Sequence, residues 1–321
     1  MGRYIIRRLL ASVPSVIGLT MVLFLLVRLM PGDAALLKAF ASEDVLQNVN
    51  DPQVVEDLRK ELGIDKPIPI QYVQWVGDMA RGKFGTSYWS RNTVKSEIIR
   101  RLPVTLELLV LSMMVSVGTG VFIGVVSAVY QDGPIDYLAR LAGILGLSVP
   151  SFWIALLVIL LPALWWNYLP PLGYVPFFDN PIQNLKQFGP AALTLGWALS
   201  AGLMRLTRSE VLEVMRQDYV RTARAKGLSE LTTIRKHVLR NSLIPVVTVV
   251  GLEIGSLIGG SVVIETVWGL PGIGRLVLTA INQRDYPVVQ ATVLFASLAF
   301  LLSNLVVDLS YGLLDPRIRY R

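Results

Sequence analysis

The sequence predicts an all-α integral membrane protein with six transmembrane helices and a helical extracytoplasmic insertion between the first two. Three observations carry that prediction. Of 321 residues, 53% are hydrophobic, and the mean hydropathy is +0.55, above the composition of an ordinary soluble domain. The apolar residues gather in windows close to the roughly 20 residues that a helix needs to cross about 30 Å of hydrocarbon. The basic residues segregate into alternate connections, as charge-directed membrane topology requires.

The first span is read at 9–29, "LLASVPSVIGLTMVLFLLVRL". Its basic flank (Arg3, Arg7, Arg8) imitates a signal peptide, but the apolar run is too long and no small-residue cleavage site follows. The second span is read at 104–130, the third at 141–165, the fifth at 244–266 and the sixth at 288–312. The fourth, 190–204, is short and its apolar count is marginal.

With the N-terminus inside, sixteen Lys/Arg fall in cytoplasmic segments against three (Lys186, Arg275, Arg284) in the short outer loops. Both termini are therefore expected in the cytoplasm. The long segment 31–103 carries ten Lys/Arg and ten Asp/Glu, and loops of that length translocate largely regardless of charge.

That segment is too long to lack structure. "DPQVVEDLRKELGI" predicts a helix capped by Asp51, with Pro52 in its first turn and Gly63 at its end. "IQYVQWVGDMARG" predicts a second, with Tyr72, Trp75, Val76 and Met79 on one face. An external cap packed on the bundle is the plainer expectation, and direct contact with substrate the sharper one.

Residues 205–243 form the most basic connection, with nine Lys/Arg against four acids between Arg205 and Arg240. Topology accounts for most of these charges. A lipid-binding segment would show a fuller apolar face, and a nucleic-acid segment would interleave aromatics, of which only Tyr219 is present. Residues 217–227 suit a short helix with Asp218 near its start and Gly227 as C-cap. Ser229 then starts a second helix that runs until Pro245 opens span five. Two short helices joined by a glycine make a projection suited to a protein groove, where Ala and Gly permit close approach.

Catalysis finds no support. The sequence has no cysteine, a single histidine (His237), no G-x-x-x-x-G-K-[ST] and no G-x-S-x-G. "PGIGRL" at 271–276 is read as a tight turn exploiting glycine's tolerance of positive φ, since it follows no strand. No metal or cofactor site is expected in the chain.

Four acids lie within or near spans: Glu107, Glu253, Glu265 and Asp308. Interfacial solvation or helix-end capping accounts for Glu107, Glu265 and Asp308. Glu253 sits about ten residues into span five among small residues, so it faces the bundle interior or a water-filled path, or makes a structural hydrogen bond. Gly255, Ser256 and Gly259 share its span and form candidates, with Glu253, for a translocation path or gate. The G-x-x-x-G spacings at 255/259 and 120/124 permit close helix approach.

"YVRTARAKGLSELTTIRKHVLRNSLIPVV" resembles the cytoplasmic Glu-Ala-Ala loop of ABC importer permeases, in the form found in peptide and nickel permeases. The family-wide Glu-Ala-Ala positions read Arg221, Thr222 and Ala223 here, and the spacer from glycine to proline is longer than in sugar permeases. "YIIRRLLASVPSVIGLTMVLFLLVRLMPGD", "VIETVWGLPGIGRLVLTAINQRDYPVVQA" and "DLSYGLLDPRIRY" are similar to further signatures of the group, in the same order. The long first outer loop resembles that of the B-type subunit of the dipeptide/oligopeptide importer family.

The resemblance implies one transmembrane domain over 1–321, with 31–103 as an insertion and 205–243 as a loop coupling to the ATPase. It implies partnership with a C-type permease, two cytoplasmic ATPases that bind ATP and Mg, and an extracytoplasmic substrate-binding protein, in a prokaryotic inner membrane. By position, the coupling role falls on Tyr219, Arg221, Thr222, Ala223, Arg224 and Gly227. A peptide cargo is implied, with nickel chelate, haem or glutathione as alternatives. A membrane-anchored sensor or scaffold without transport is the competing class.

Overall fold

A computed structural model of the chain describes residues 2–29, 34–40, 52–171 and 173–314. Among them there are helices and loops but no β-strand; Thr86 and Thr93 make an isolated bridge. Asp51, expected to cap the first insertion helix, and the arginines at 317, 319 and 321 lie outside the described residues. The chain divides into two compact units. Among the described residues, one comprises Val104–Leu270 and 302–314, and the other Gly2–Pro103 and Pro271–Leu301.

In the second of these, α1 (Gly2–Leu29) is followed by α2 (Ala34–Phe40), α3 (Pro52–Glu61) and α4 (Ile68–Ala80). Helix α3 ends as its sequence demands: Gly63 takes φ +62°, and the Ile64 amide reaches back to the Arg59 carbonyl at 3.0 Å. Helix α4 lies on α1, where Phe24 packs edge-on against Tyr72 and the Thr20 and Tyr72 hydroxyls share a 2.9 Å hydrogen bond. Tyr72 and Trp75, on the apolar face expected of α4, are thus the residues that meet α1.

Helix α5 (Val94–Val129) begins ten residues before the span the apolar run indicated, and Pro103 lies within it. Its first turns belong to this unit. Val94 and Ile98 pack there with Ile273, Leu276 and Ala280 of α13 (Ile273–Gln283) and with Val288 and Val289 of α14 (Tyr286–Leu314). Asp285 accepts hydrogen bonds from the Ser87 hydroxyl and the Tyr88 amide, fixing the loop before α5. The expected turn at 271–276 differs in detail. Gly272 is extended and precedes α13, Gly274 lies inside that helix, and positive φ occurs earlier, at Gly269.

The other unit is organised around α8 (Pro181–Met215), flanked by α6 (Pro134–Ser148), α7 (Ser151–Trp166), α11 (Leu239–Gly260) and α12 (Val262–Val267). The Asn180 side chain caps α8 by accepting from the Gln183 amide, and Pro181 fills its first turn. The fourth span therefore lies within a 35-residue helix. Its apolar content is low because its neighbours are protein: Phe188, Ala191, Leu203 and Val211 are fully buried.

Small residues set how closely those neighbours approach. A Cβ on Gly120 of α5 would lie 3.0 Å from the Ser200 carbonyl oxygen of α8, and one on Gly124 would lie 2.7 Å from that of Met204. On α6, a Cβ at Gly146 would come within 2.8 Å of Ala201 Cβ. The G-x-x-x-G at 120/124 is a close helix crossing.

Two expectations about span continuity need correction. The third span is not one helix. It breaks between α6 and α7 with a bend of 100°, because Pro150 drives Val149 into extended backbone (φ −91°, ψ 124°) and ends α6. Nor does Pro245 open the fifth span, since it lies inside α11. The chain runs into α11 from α10 (Glu230–Thr233) through a π-helical turn, Ile234–Val238. Among the described residues, four helical segments are long and apolar enough to cross a membrane, or five if the bent pair counts as one span. Helix α8 is not one of them.

The charged ends of α6 and α8 are joined by an ion pair. Arg208 Nε and an Nη of the same guanidinium each donate to one oxygen of Asp136, both at 2.7 Å. Asp136 is fully buried and also accepts from the Ser127 hydroxyl and the Asp132 amide. Removing one partner of a buried pair strands a charge, so Asp136→Leu or Arg208→Leu alone is expected to cost about 3–5 kcal/mol. The double replacement is expected to cost much less than either single one, measured by thermal unfolding of the detergent-solubilised chain. By the same measurement, Gly124→Val is expected to destabilise by about 1–3 kcal/mol through overpacking. At Gly118, where a Cβ meets open space, alanine is expected to be neutral or to stabilise by up to about 1 kcal/mol.

Candidate functional site

The basic connection folds as its capping residues indicated. Helix α9 (Asp218–Ala225) ends in a turn where Gly227 takes φ +79°. The Gly227 amide bonds the Arg224 carbonyl at 2.9 Å and the Leu228 amide bonds that of Ala223 at 3.4 Å, the double return that closes a helix on a left-handed residue. Ser229 then caps α10, its hydroxyl accepting from the Thr232 amide.

One face of α9 is buried and the other is open. Val220 and Ala223 are buried, and Val220 packs in a cluster with Ala128 of α5, Val211 of α8 and Val238 of the π turn. Full burial of a valine contributes about 1.5–3 kcal/mol, which seats the helix. Tyr219, Arg221 and Thr222 are exposed, and Arg224 is half-buried. Ala223 therefore differs from its expected place among partner-facing residues. Its small side chain permits close approach inward, toward this chain's own helices.

Two tethers hold the projection in shape. The Arg224 guanidinium makes a two-point contact with Glu230 across the glycine turn, at 2.6 and 3.1 Å. That contact raises the Arg224 pKa above its ordinary value. The Tyr219 hydroxyl accepts from the Asn241 side-chain amide at 2.8 Å. Sequence reading did not anticipate Glu230 or Asn241. An opposite charge six residues from Arg224, just beyond a C-cap glycine, was a usable signal for the first, and nothing local marked the second.

The acids of the spans separate into two classes. Glu265 is fully buried and accepts from the hydroxyls of Thr105 (2.8 Å) and Ser261 (2.9 Å). Glu107 accepts from Tyr174 OH at 3.3 Å and from the Asn184 amide. Both are held by hydroxyl or amide donors within the protein, so interfacial solvation does not explain them. Glu253 is half-buried, and one of its carboxylate oxygens is enclosed without a hydrogen-bond partner. Gly255 is buried nearby in α11, while Ser256 is exposed and its hydroxyl donates to the Glu253 carbonyl at 2.9 Å. The surroundings of Gly259 and the side chain of Asp308 lie outside what is described. The described residues contain no cluster of His, Asp or Glu that could hold a metal ion.

Known proteins resemble this chain in sequence along its whole length. Residues 120–320 match the family of binding-protein-dependent transport system inner membrane components, and residues 1–109 match the N-terminal region of such membrane components. A Brucella abortus protein provisionally named as a peptide transport system permease is 41% identical, covering all of both chains. The dipeptide transport system permease protein DppB of Alkalihalophilus pseudofirmus is 38% identical over 99% of each chain. The glutathione transport system permease protein GsiC of Salmonella paratyphi A is 39% identical over the full length of both. The crystal structure of an amino acid ABC transporter with histidines superposes with a TM-score of 0.52 at 16% identity, covering 70% of this chain and 94% of that one; this likeness concerns the fold alone. The chain belongs to the family of binding-protein-dependent transport system inner membrane components, as a B-type permease of the dipeptide/oligopeptide group.

Proposed function

We propose that this chain forms half of the translocation path of an ATP-driven importer of di- and oligopeptides. A C-type permease supplies the other half, two ABC ATPases bind ATP and Mg on the cytoplasmic side, and an extracytoplasmic binding protein delivers cargo. The observation that carries the reading is the construction of α9. Its inner face is buried on this chain, its outer face presents Tyr219, Arg221 and Thr222, and its end is fixed by Gly227 and the Arg224–Glu230 contact. A short rigid helix of this kind transmits displacement, because its buried residues tie it to α5, α8 and the start of α11. Closure of the ATPases then favours one of two arrangements of the spans, which is alternating access.

The sixteen-to-three bias of basic residues supports a prokaryotic inner-membrane location with both termini in the cytoplasm. Glu253, half-buried on α11 among small residues, is the acid of that helix we place along the path. Glutathione is a second cargo reading, favoured by the relatives named for glutathione transport.

The isolated chain is expected to hydrolyse no ATP, and hydrolysis is expected only with cognate ATPase subunits. Proteoliposomes of the full complex are expected to take up labelled di- to tetrapeptides; a scaffold would take up none, and uptake of glutathione alone would select the second cargo. Gly227→Val puts about 1–2 kcal/mol of strain into left-handed backbone. It is expected to cut uptake by the complex about ten-fold while membrane insertion, followed by immunoblot of washed membranes, is unchanged.

A further inference from the structure

Between α6 and α8, which belong to the same compact unit, lies a cleft of about 300 Å³. On α6 its wall runs from Arg140 through Ile144 to Leu147, and on α8 from Arg208 and Arg205 through Met204 to Ala201. These are the spacings of one helix face in each case. The two helices run antiparallel: Asp136 meets Arg208 at one end, and a Cβ on Gly146 would touch Ala201 at the other. The cleft is therefore polarised. Its arginines and Ser209 lie toward the ion pair, and its apolar residues lie away from it.

The positive charge at the basic end is in excess. Asp136 neutralises Arg208. Among the described residues, however, Arg140 and Arg205 have no carboxylate partner, and no Asp or Glu lines the cleft. Arg140, Arg205 and Ser209 are all exposed, so a ligand can reach them.

The surroundings are those of a bilayer interface. The Arg140 guanidinium lies over the ring of the exposed Tyr137, 5.3 Å from its centroid, and such amphipathic rings sit at headgroup level. Beyond Arg140, the outward residues Leu141, Ile144 and Leu145 are apolar and more than half exposed, a surface suited to hydrocarbon. A soluble anion would use the arginines and leave the apolar end empty, and a neutral lipid would do the reverse.

We propose that this cleft holds an anionic phospholipid of the bilayer. Its phosphate sits between Arg140 and Arg205, with Ser209 donating to it, and one acyl chain starts along Ile144, Leu147 and Met204. Guanidinium groups match phosphate oxygens with paired hydrogen bonds, and basic pockets between membrane helices recognise such headgroups. The cleft takes the headgroup and the first carbons of the chain, and the remainder lies over Leu141 and Leu145. A bound lipid thus bridges α6 and α8 beside the Asp136–Arg208 pair. The proposal depends neither on the cargo nor on coupling to an ATPase.

The test is native mass spectrometry of the full chain in detergent. The probes are phosphatidylglycerol, phosphatidylcholine with the same acyl chains, and glycerol 3-phosphate. One phosphatidylglycerol per chain is expected to bind at least about ten-fold more tightly than phosphatidylcholine. Arg140→Gln combined with Arg205→Gln is expected to remove that preference, and Ile144→Ser to weaken phosphatidylglycerol about three-fold or more. Arg235→Gln combined with Arg240→Gln, an equal loss of charge at exposed positions elsewhere, is expected to change nothing. Equal affinity for the two lipids overturns the proposal, as does a preference that survives the replacement of Arg140 and Arg205. Displacement of phosphatidylglycerol by equimolar glycerol 3-phosphate also overturns it, since the site would then read a soluble phosphate. Expulsion of the lipid on assembly of the full complex has the same consequence, because a protein surface would then cover the arginines.

Discussion

The unit that carries the candidate coupling helix depends on one buried ion pair, Asp136 with Arg208. Asp136 enters the protein interior only because the guanidinium meets both of its oxygens at 2.7 Å, while Ser127 and the Asp132 amide use its remaining capacity. Such a pair is worth little as net stability and a great deal as a constraint on geometry. It sets the first turn of α6 against α8 at one register. Small residues then determine the separation: Gly120 and Gly124 bring α5 onto α8, and Gly146 brings α6 onto it. Val211, one turn beyond Arg208 on α8, joins the cluster that seats α9.

That sequence of contacts gives the projection its mechanical character. Helix α9 has eight residues, too few to hold its shape alone. Its stability comes from burial of Val220 and Ala223, from closure at Gly227, and from the tethers to Glu230 and Asn241. A force applied to Tyr219 or Arg221 is passed to α5, α8 and the π turn ahead of α11, because the helix cannot deform without exposing those apolar contacts. Glu253 lies on α11, the helix that continues from that turn.

The acids within the spans show the same physics at different depths. Glu265 and Glu107 are kept inside by hydroxyls and amides from distant parts of the chain, with Thr105 coming from 160 residues away and Asn184 from 77. These are structural solutions to the cost of an acid away from water. Glu253 has no such solution for one of its oxygens, and that difference separates it from the other two.

Much of this was legible in the sequence because it depends on neighbours a few residues apart. The apolar windows, the α9 helix with its glycine closure, the Ser229 cap, the end of α3 at Gly63 and the 120/124 spacing all follow from local steric and hydrogen-bonding rules. The break at Pro150 is also local, but hydropathy runs unchanged across it and so does not reveal it. Pairings across long separations were not legible: Asp136 with Arg208, Thr105 with Glu265, Tyr219 with Asn241. Periodicity identifies which face of a helix is apolar but contains no information on which helix will cover it. The sequence by itself determined an all-helical membrane protein and the shape of its basic projection. Only the tertiary structure decided that Ala223 faces inward and that Glu265 is held by a hydroxyl from α5, because each of these depends on segments brought together by packing.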